Sequence, residues 1–254
     1  MWLVKGFALF RRNPPVWLFL VLAYWIGVAL LGQVRYAGLV ISTVLLPVFS
    51  VSFMIVCAVL DQGGSVRPAL LLSGFRSELP KLLWLGVLYL ASIFLVLAAT
   101  ALADGGILLQ WTLSGEDPPD EAIRDGSVSR ALLLAAAASA PVLMAFWFAP
   151  ALAAWERMGA GQSLFYSFFA GWRNWRAFLV YGMALALLGL VFLVCVTATV
   201  LITGGQMQSL RLMATMFTLL TLPTMFGSFY ACYRDIFPEG RLPVPEAGES
   251  RPGS

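Results

Sequence analysis

The sequence contains no histidine and few charged residues. None of its 254 residues is histidine, three are cysteine and 11% are charged, whereas a soluble domain is roughly a quarter charged. Without histidine the chain lacks the commonest general base and neutral metal ligand, which excludes a Ser-His-Asp triad and imidazole-bound zinc. The cysteines, Cys57, Cys195 and Cys232, have no C-x-x-C spacing and are typical of inert buried thiols.

Fingerprints for binding phosphate cofactors are missing as well. Neither a Walker-type nor a dinucleotide-binding motif occurs, and the paired glycines at positions 63–64, 105–106 and 204–205 are typical of turns. We therefore expect no catalytic, cofactor-binding or metal-binding residues, no cofactor and no enzymatic activity. The net charge of +3 is modest and the basic residues form no dense patch, so nucleic acid is not an expected partner.

Long apolar runs dominate what remains. A helix that crosses the hydrocarbon core of a membrane needs about 20 mostly apolar residues. Runs of that length recur six times among the 60% of hydrophobic residues, and none has a charged residue in its middle. The sequence therefore predicts an all-α integral membrane bundle of six transmembrane helices. We place the spans at about residues 15–32, 37–60, 82–103, 131–155, 177–203 and 212–233.

The basic residues are distributed unequally between the two sides of this bundle. Twelve of the sixteen lie on the side of the termini, and the other side has only Arg35, Arg124, Arg130 and Arg211. Because translocation disfavours Lys and Arg in short loops, we expect both termini on the cytoplasmic side of the membrane.

Two segments outside the spans have distinctive compositions. The loop at residues 104–129 carries six acids and is expected on the side opposite the termini, either as a solvated acidic loop or as a ligand or partner site; the composition favours the first. Residues 238–254 are rich in Pro, Gly and Glu, and we expect a disordered cytoplasmic tail.

An internal repeat is the most informative feature of the sequence. Three similar stretches stand before apolar runs: Gly6-Phe7-Ala8-Leu9-Phe10-Arg11-Arg12-Asn13-Pro14, Leu72-Ser73-Gly74-Phe75-Arg76-Ser77-Glu78-Leu79-Pro80 and Phe169-Ala170-Gly171-Trp172-Arg173-Asn174-Trp175. A block that leads from a proline through aromatic residues to an acid closes each unit. We predict a transmembrane domain at residues 1–237, built from repeats at about 2–64, 66–159 and 161–240, each an interfacial helix followed by a transmembrane hairpin.

The first interfacial helix is expected to be amphipathic. Helical spacing puts Leu3, Phe7 and Phe10 on one face, with Lys5 and Arg12 pointing away. Such a helix should lie at the membrane surface, with its aromatic face in lipid and its cations near anionic headgroups. The third such segment is apolar almost all round, so burial against the spans is the alternative there. The candidate lipid-headgroup or interface contacts are Arg11, Arg12, Arg76, Arg173 and Arg176.

One carboxylate stands at the cytoplasmic mouth of each even-numbered span. These candidate helix-mouth carboxylates are Asp61, Glu156 and Asp235. They could form a proton or cation relay, or each could pair with a nearby arginine such as Arg67, Arg157 or Arg234. Because all three lie at the interface rather than at the bilayer centre, the pattern favours ion pairs.

Four short motifs carry a family resemblance: Leu9-Phe10-Arg11-Arg12-Asn13-Pro14, Phe148-Ala149-Pro150-Ala151-Leu152, Arg173-Asn174-Trp175-Arg176-Ala177-Phe178 and Tyr233-Arg234-Asp235-Ile236-Phe237. Through them the chain resembles an uncharacterised family of six-span proteobacterial inner-membrane proteins. More loosely, the unit of interfacial helix plus hairpin is similar to the membrane domain of bacterial glycerophosphodiester phosphodiesterases. The catalytic domain of those enzymes is missing here, so the resemblance supplies no catalytic residues. It implies this architecture and a location in the bacterial inner membrane, with the acidic loop at residues 104–129 in the periplasm.

Three classes of function fit these features to different degrees. An accessory or organising membrane protein at the cytoplasmic leaflet fits best, with membrane lipids and other membrane proteins as partners. A transporter or lipid-handling protein would use the proline-kinked even spans and the hydroxyls of Thr218, Thr221, Thr224 and Ser228, but no ionisable residue lies mid-span. A membrane enzyme would require the helix-mouth carboxylates to converge on a metal, which their spacing does not indicate.

Overall fold

The computed structural model describes residues 1–115 and 117–240, and these residues form helices joined by short connections. No β-strand occurs in this part of the chain, which confirms the predicted all-α fold. The helices are α1 (Trp2–Arg12), α2 (Pro14–Gly32), α3 (Arg35–Asp61), a 3₁₀ helix (Pro68–Arg76), α4 (Leu79–Asp104), α5 (Ile107–Ser114), α6 (Asp120–Arg124), α7 (Ser127–Trp147), α8 (Ala149–Trp155), α9 (Ala160–Arg173), α10 (Trp175–Thr203) and α11 (Met207–Ile236).

Six segments of the described chain are long and apolar enough to cross a membrane. They are α2, α3 from Ala37, α4, α7 together with α8, α10 and α11. Their boundaries agree closely with the predicted ones, and the largest difference is at α11, which begins at Met207 rather than near residue 212. The prediction of six transmembrane helices is therefore confirmed.

Prolines and glycines set several of the helix boundaries. Pro14, Pro80 and Pro150 lie in the first turns of α2, α4 and α8, where a missing N–H group costs no intrahelical hydrogen bond. Gly105 and Gly204 follow α4 and α10 with φ of 67° and 64°, a left-handed conformation that glycine adopts without a steric penalty.

The fourth span is interrupted at Phe148, between α7 and α8. The Phe148 N–H donates to the hydroxyl of Ser167 in α9 at 2.9 Å, and that hydroxyl donates to the Met144 carbonyl at 2.8 Å. One serine thus satisfies the backbone groups freed by the break, which is the condition for irregular backbone at membrane depth. Pro47, Pro141 and Pro223 lie inside continuous helices.

The short helices that precede the hairpins dock in a cyclic order. The 3₁₀ helix packs on α3, α9 packs on α7, and α1 packs on α11, so each contacts the closing span of another hairpin. The docking is tight at two glycines: a Cβ atom at Gly6 would lie 2.3 Å from the Thr224 carbonyl oxygen, and one at Gly74 would lie 2.0 Å from the Val48 carbonyl oxygen. The element order agrees with the three predicted units, whose equivalence stays a prediction.

The buried core is concentrated near one end of the bundle. We call this the basic end; it comprises α1, the 3₁₀ helix, α9 and the span ends at Asp61, Glu156 and Asp235. Phe53 of α3, Phe148 and Tyr233 of α11 are completely buried there. In contrast, α10 exposes large apolar side chains along its length, as a peripheral helix does when hydrocarbon is its solvent.

The structure corrects the predicted lipid-facing surface of α1. Phe7 is exposed, but Phe10 is buried and Leu3 is half-buried. The face of α1 that contacts α11 is centred on Gly6, because a residue without a side chain lets the two backbones approach. Trp2 and Phe10 flank Gly6 on the helix surface and are buried with it.

The acidic segment at residues 104–129 contains more helix than predicted, since α5 and α6 form within it. Asp104, the last residue of α4, stabilises the turn into α5 by accepting hydrogen bonds from the N–H groups of Gly106 and Leu108 at 2.8 and 2.7 Å. Near its end, the Ser127 N–H donates to Asp125 at 2.7 Å, which lowers the pKa of the Asp125 carboxyl below its usual value. Glu116 and residues 241–254, most of the predicted disordered tail, lie outside the described residues.

Candidate functional site

A cleft at the basic end is lined by three cations, one carboxylate and one phenol. We call it the cationic cleft; it has a volume of about 300 Å³. Its charged and polar residues are Lys5, Arg12, Asp61, Tyr230 and Arg234, with Ala8, Leu9 and Ala231 completing the wall. The first helix, the end of α3 and the end of α11 each contribute to it, so the cleft exists only in the folded bundle.

The docking of α1 on α11 places the two α1 cations along the cleft. Lys5 and Arg12 are seven residues apart, about two helical turns, and therefore project from the same side of α1. The depth of the docking is set by glycine on both helices, since a Cβ atom at Gly227 would lie 2.7 Å from the Gly6 carbonyl oxygen. A larger residue at either position would move α1, and both cations with it, away from α11.

Arg12 and Asp61 form the centre of the cleft. Nη1 of Arg12 lies 3.6 Å from Oδ1 of Asp61 and also donates to the Leu60 carbonyl at the end of α3. The Tyr230 hydroxyl donates to the other Asp61 oxygen at 3.3 Å. Both charged side chains are about half exposed, at 49% and 48%, so this ion pair contributes little to stability; its effect is to orient the guanidinium.

The three predicted helix-mouth carboxylates lie in separate places, and each has an aromatic neighbour with a polar hydrogen. Asp61 contacts Tyr230 as described, and Asp235 accepts a hydrogen bond from the Trp2 indole at 3.0 Å. Glu156 and the Tyr233 hydroxyl both lie against Gly240. The carboxylates therefore do not converge on one point.

The ion pairs join different residues from those suggested by the sequence. The partner of Asp61 in the described chain is Arg12 rather than Arg67, and Arg157 pairs with Glu78 at 3.9 Å. Nearness along the chain led to the predicted pairs, whereas the observed pairs join helices that meet only in the tertiary fold.

Glu78 and Arg157 also have a strained backbone, in addition to forming an ion pair. Glu78 has φ of 42° and Arg157 has φ of 55°, the only non-glycine residues of the described chain with positive φ. Lys81 contacts both, with Nζ 3.0 Å from the Glu78 carboxylate and 2.9 Å from the Arg157 carbonyl oxygen. This contact fastens the start of α4 to the loop after α8.

The other candidate headgroup contacts remain dispersed over the basic end. They are all exposed, and each belongs to a different helix: Arg11, Arg76, Arg173 and Arg176. Arg11 shares α1 with Arg12 but does not line the cleft. Arg176 lies over the Trp175 ring at 5.6 Å from its centroid. Contact of these side chains with lipid headgroups stays a prediction.

The sequence interpretation did not select Lys5 or Arg234 for this site. A signal was present for each: Lys5 shares a helix face with Arg12, and Arg234 follows Tyr230 by four residues, about one helical turn. The sequence did not show that α1 contacts α11. That contact brings Lys5 and Arg12 of α1 next to Tyr230 and Arg234 of α11.

A second, larger cavity lies between the spans and has a volume of about 450 Å³. Residues of α3, α4, α7, α8, α10 and α11 line it, and its wall is almost entirely apolar. Among its polar residues, Tyr181 shares a hydrogen bond of 2.7 Å with the Ser228 hydroxyl. Leu46, Leu143 and Met225, at its rim, are 45%, 49% and 37% exposed, so the cavity is open on the side of these residues.

The predicted hydroxyl stripe of α11 is largely engaged with its own backbone. Thr218 and Thr224 donate to carbonyls one turn earlier at 2.8 and 3.0 Å, and Thr221 does the same to Phe217. These contacts favour the structural interpretation of the hydroxyls over a polar path. Across residues 1–115 and 117–240, no three Cys, Asp or Glu side chains are grouped in a way that could hold a metal ion.

Comparison with known proteins finds one informative similarity. A Burkholderia thailandensis protein described as a probable inner membrane protein is 37% identical to this chain over 243 residues, which cover 93% of the chain and 90% of the relative. The comparison does not show the similarity to the membrane domain of glycerophosphodiester phosphodiesterases. No family model matches the chain, and no solved structure matches it.

Proposed function

Since the chain belongs to the family of this Burkholderia inner membrane protein and is itself a multi-pass inner membrane protein, we propose that it is a non-enzymatic accessory protein that organises other membrane components at the cytoplasmic leaflet. The observation that carries the proposal is the way in which α9 docks. Its buried residues are Ser163, Ser167 and Gly171. Its exposed residues include Phe165, Phe169 and Trp172, at 59%, 44% and 62% exposure.

An aromatic surface turned away from the bundle suits contact with an interface or a partner. Small residues let α9 pack closely on α7, so its large side chains are left for contacts outside the bundle. In α9 the small residues face α7 and the aromatic residues face outward, with Arg173 exposed at the end of the helix. Exposed aromatic clusters of this kind are typical of protein interaction sites and membrane interfaces.

The proposal includes cytoplasmic placement of the basic end. Its support is the excess of Lys and Arg on that side, because short basic loops are retained in the cytoplasm. It also includes the threefold repeat, supported by the cyclic docking of the short helices and by Gly6 and Gly74, which contact the closing spans one residue after Pro223 and Pro47.

Reporter fusions test the placement. Fusions that end at Gly64 and Glu239 are expected to be active with a cytoplasmic reporter, whereas a fusion at Asp117 is expected to be active only with a periplasmic one. The Gly64 and Asp117 fusions control for each other, because each reporter is used at both positions. Activity of one reporter at both positions would contradict the six-span topology, and a reversed pattern would place the basic end in the periplasm.

The proposed role is tested by recovery of partners from native membranes. We expect affinity purification after gentle solubilisation to recover one or more proteins with the natural chain. The F165A/F169A/W172A variant of α9 should lose them, because it removes the outward aromatic surface. The L187A/L190A/V194A variant should retain them, since it truncates three exposed side chains of α10. Recovery of the chain alone, or equal loss in both variants, would count against the proposal.

The larger cavity favours a second candidate, a lipid-handling or transport protein. An apolar chamber that is open on one side and bounded by three hairpins offers space for a hydrocarbon chain. Faster movement of a fluorescent phospholipid between leaflets of vesicles that contain the protein, abolished when Ser50 in the cavity wall is replaced with Trp, would favour this candidate. Unchanged lipid movement would exclude it.

A further inference from the structure

We infer that the cationic cleft is a phosphate-binding site at the membrane surface, which recognises the phosphate group of an anionic ligand. The inference rests on the proposed function in one respect, the placement of the basic end at the lipid headgroups. It adds to that function the chemical class of a ligand and the side chains that bind it.

The charge balance of the cleft favours an anion. Lys5, Arg12 and Arg234 contribute three positive charges, and Asp61 contributes the single negative charge of the lining. Asp61 is already engaged by Arg12 and Tyr230. Among the described residues Lys5 and Arg234 form no ion pair, so two cations in the same cleft are left without a counter-charge. An anionic ligand would supply it.

The guanidinium of Arg12 is oriented before any ligand binds. Its Nη1 group is held by the Leu60 carbonyl and the Asp61 carboxylate. No other hydrogen bond of this side chain is formed within the described part of the chain, so the remaining N–H donors stay available. Arginine presents its donors in a planar fork that matches two oxygens of a phosphate group, which a point charge such as lysine does not.

The location of the cleft favours a lipid as the source of the phosphate. The exposed side of α1 that does not line the cleft carries Val4 and Phe7, at 74% and 47% exposure. A helix with an apolar strip on one side and cations on another is typical of the boundary between headgroups and acyl chains. A soluble phosphate compound provides the same oxygens without the acyl chains, so the two sources differ in whether the apolar strip contributes.

The alternative is that these cations only form a solvated basic patch. The positions of the residues in the chain argue against this alternative. Cations that only orient a membrane protein need no particular partners, and the exposed Arg67 fits that description. The cations of the cleft come instead from the first and the last helix, brought together by a glycine-to-glycine contact that leaves no room for a side chain.

Lipid binding by the full-length protein in detergent micelles tests the inference. The protein is titrated with phosphatidylglycerol, with neutral phosphatidylcholine and with inorganic phosphate, and complexes are counted by native mass spectrometry. The test variant is K5Q/R234Q, which removes the two unpaired cations and leaves the Arg12–Asp61 pair intact. The matched control is R67Q/R124Q, which removes the same amount of charge from exposed positions that neither line the cleft nor belong to the candidate headgroup contacts.

We expect phosphatidylglycerol to bind more tightly than phosphatidylcholine and the test variant to lose about 25-fold in affinity, since each basic residue near an anionic surface contributes about fivefold. The control should stay within about twofold of the natural protein. Competition by inorganic phosphate at millimolar concentration would identify a soluble phosphate as the ligand source, and absence of competition would identify the lipid headgroup.

Equal losses in both double variants, or no loss in the test variant, would overturn the inference. If K5Q/R234Q does not fold, K5Q alone serves, because Lys5 is exposed and should lose about fivefold. The outcome is separable from that of the proposed function. Loss of the phosphate site with normal recovery of partner proteins refutes only the site, whereas a reversed reporter pattern refutes the cytoplasmic placement without changing the affinities in micelles.

Discussion

Replacing Gly6 with alanine is expected to destabilise the folded bundle by about 3 kcal/mol, the upper end of the usual cost of overpacking. The added Cβ would lie 2.3 Å from the Thr224 carbonyl oxygen and 2.4 Å from the Ser228 backbone nitrogen. Neither atom is the end of a flexible side chain, so α1 as a whole must move away from α11. That movement exposes Trp2 and breaks its hydrogen bond to Asp235.

The free energy of unfolding in mixed micelles, measured by titration with a denaturing detergent, provides the test. Gly27→Ala in α2 is the matched control, because no atom lies within 4 Å of its added Cβ. Alanine is the better helix former by about 1 kcal/mol, so this control should be neutral or slightly stabilising. If Gly6→Ala behaved like Gly27→Ala, α1 would not be docked on α11 as described.

Alanine at Gly74 and at Gly171, the glycines that dock the 3₁₀ helix and α9, allows the three docking contacts to be compared. Gly74→Ala should be as severe as Gly6→Ala, since its Cβ would lie 2.0 Å from the Val48 carbonyl oxygen. Gly171→Ala should be milder, because its nearest neighbour is Cγ of Met144 at 3.2 Å, on a flexible side chain. Equal effects at all three positions would show that backbone contact does not set the docking.

The transmembrane helices were predictable from the sequence because their cause is local. In hydrocarbon a segment must satisfy its own backbone hydrogen bonds, so an apolar run of sufficient length is a helix whatever its neighbours are. Pro14 at the start of α2 and Gly204 after α10 add boundary signals that also act within a few residues. Sequence spacing therefore placed the spans within a few residues of their observed positions.

The docking of α1 was not predictable in the same way. Helical spacing identified an amphipathic segment with Phe7 and Phe10 on one face, but the contact with α11 is governed by Gly6, which contributes nothing to a hydrophobic pattern. Close approach of two helices needs small residues on both, and the partner residue, Gly227, lies at the other end of the chain. Periodicity within one helix carries no information about that partner.

The candidate site was predicted only in part for the same reason. Arg12 was selected as a cation of the first interfacial helix, and Asp61 as a carboxylate at the mouth of a span, where a charge is less costly than at the bilayer centre. Their contact with each other depends on how α1 crosses the bundle, as does the inclusion of Lys5 and Arg234. The sequence thus identified residue types suited to the interface, and the tertiary fold determined which of them share a cleft.

The exposure of α10 follows from the solvent in which this bundle folds. Lipid chains are as apolar as leucine, so a span gains little from hiding its apolar side chains in the protein. Packing and polar contacts must then hold the spans together, and the aromatic cluster near the basic end supplies the packing. Phe148 lies within that cluster, with ring centroids of Phe178, Phe229 and Phe237 at 5.9, 6.1 and 5.5 Å.

Phe148→Ala is consequently expected to destabilise the bundle by about 3 kcal/mol, the lower end of the range for a buried phenylalanine in soluble proteins. The lower end applies because the ring stays in an apolar environment when the protein unfolds in a micelle. The cost of the substitution is then mainly the loss of packing contacts in the folded state. Its backbone N–H would still donate to Ser167, so the break between α7 and α8 should persist in the variant.

Phe94→Ala in α4 separates the loss of packing from the mere loss of an apolar ring, because the Phe94 side chain is 45% exposed on a span. Unfolding in the same micelles should show a small effect for Phe94→Ala, since lipid or detergent replaces the lost contacts, and a large effect for Phe148→Ala, since nothing fills the space left by its ring. Similar losses for the two variants would mean that the fourth span is not joined to α10 and α11 through this cluster.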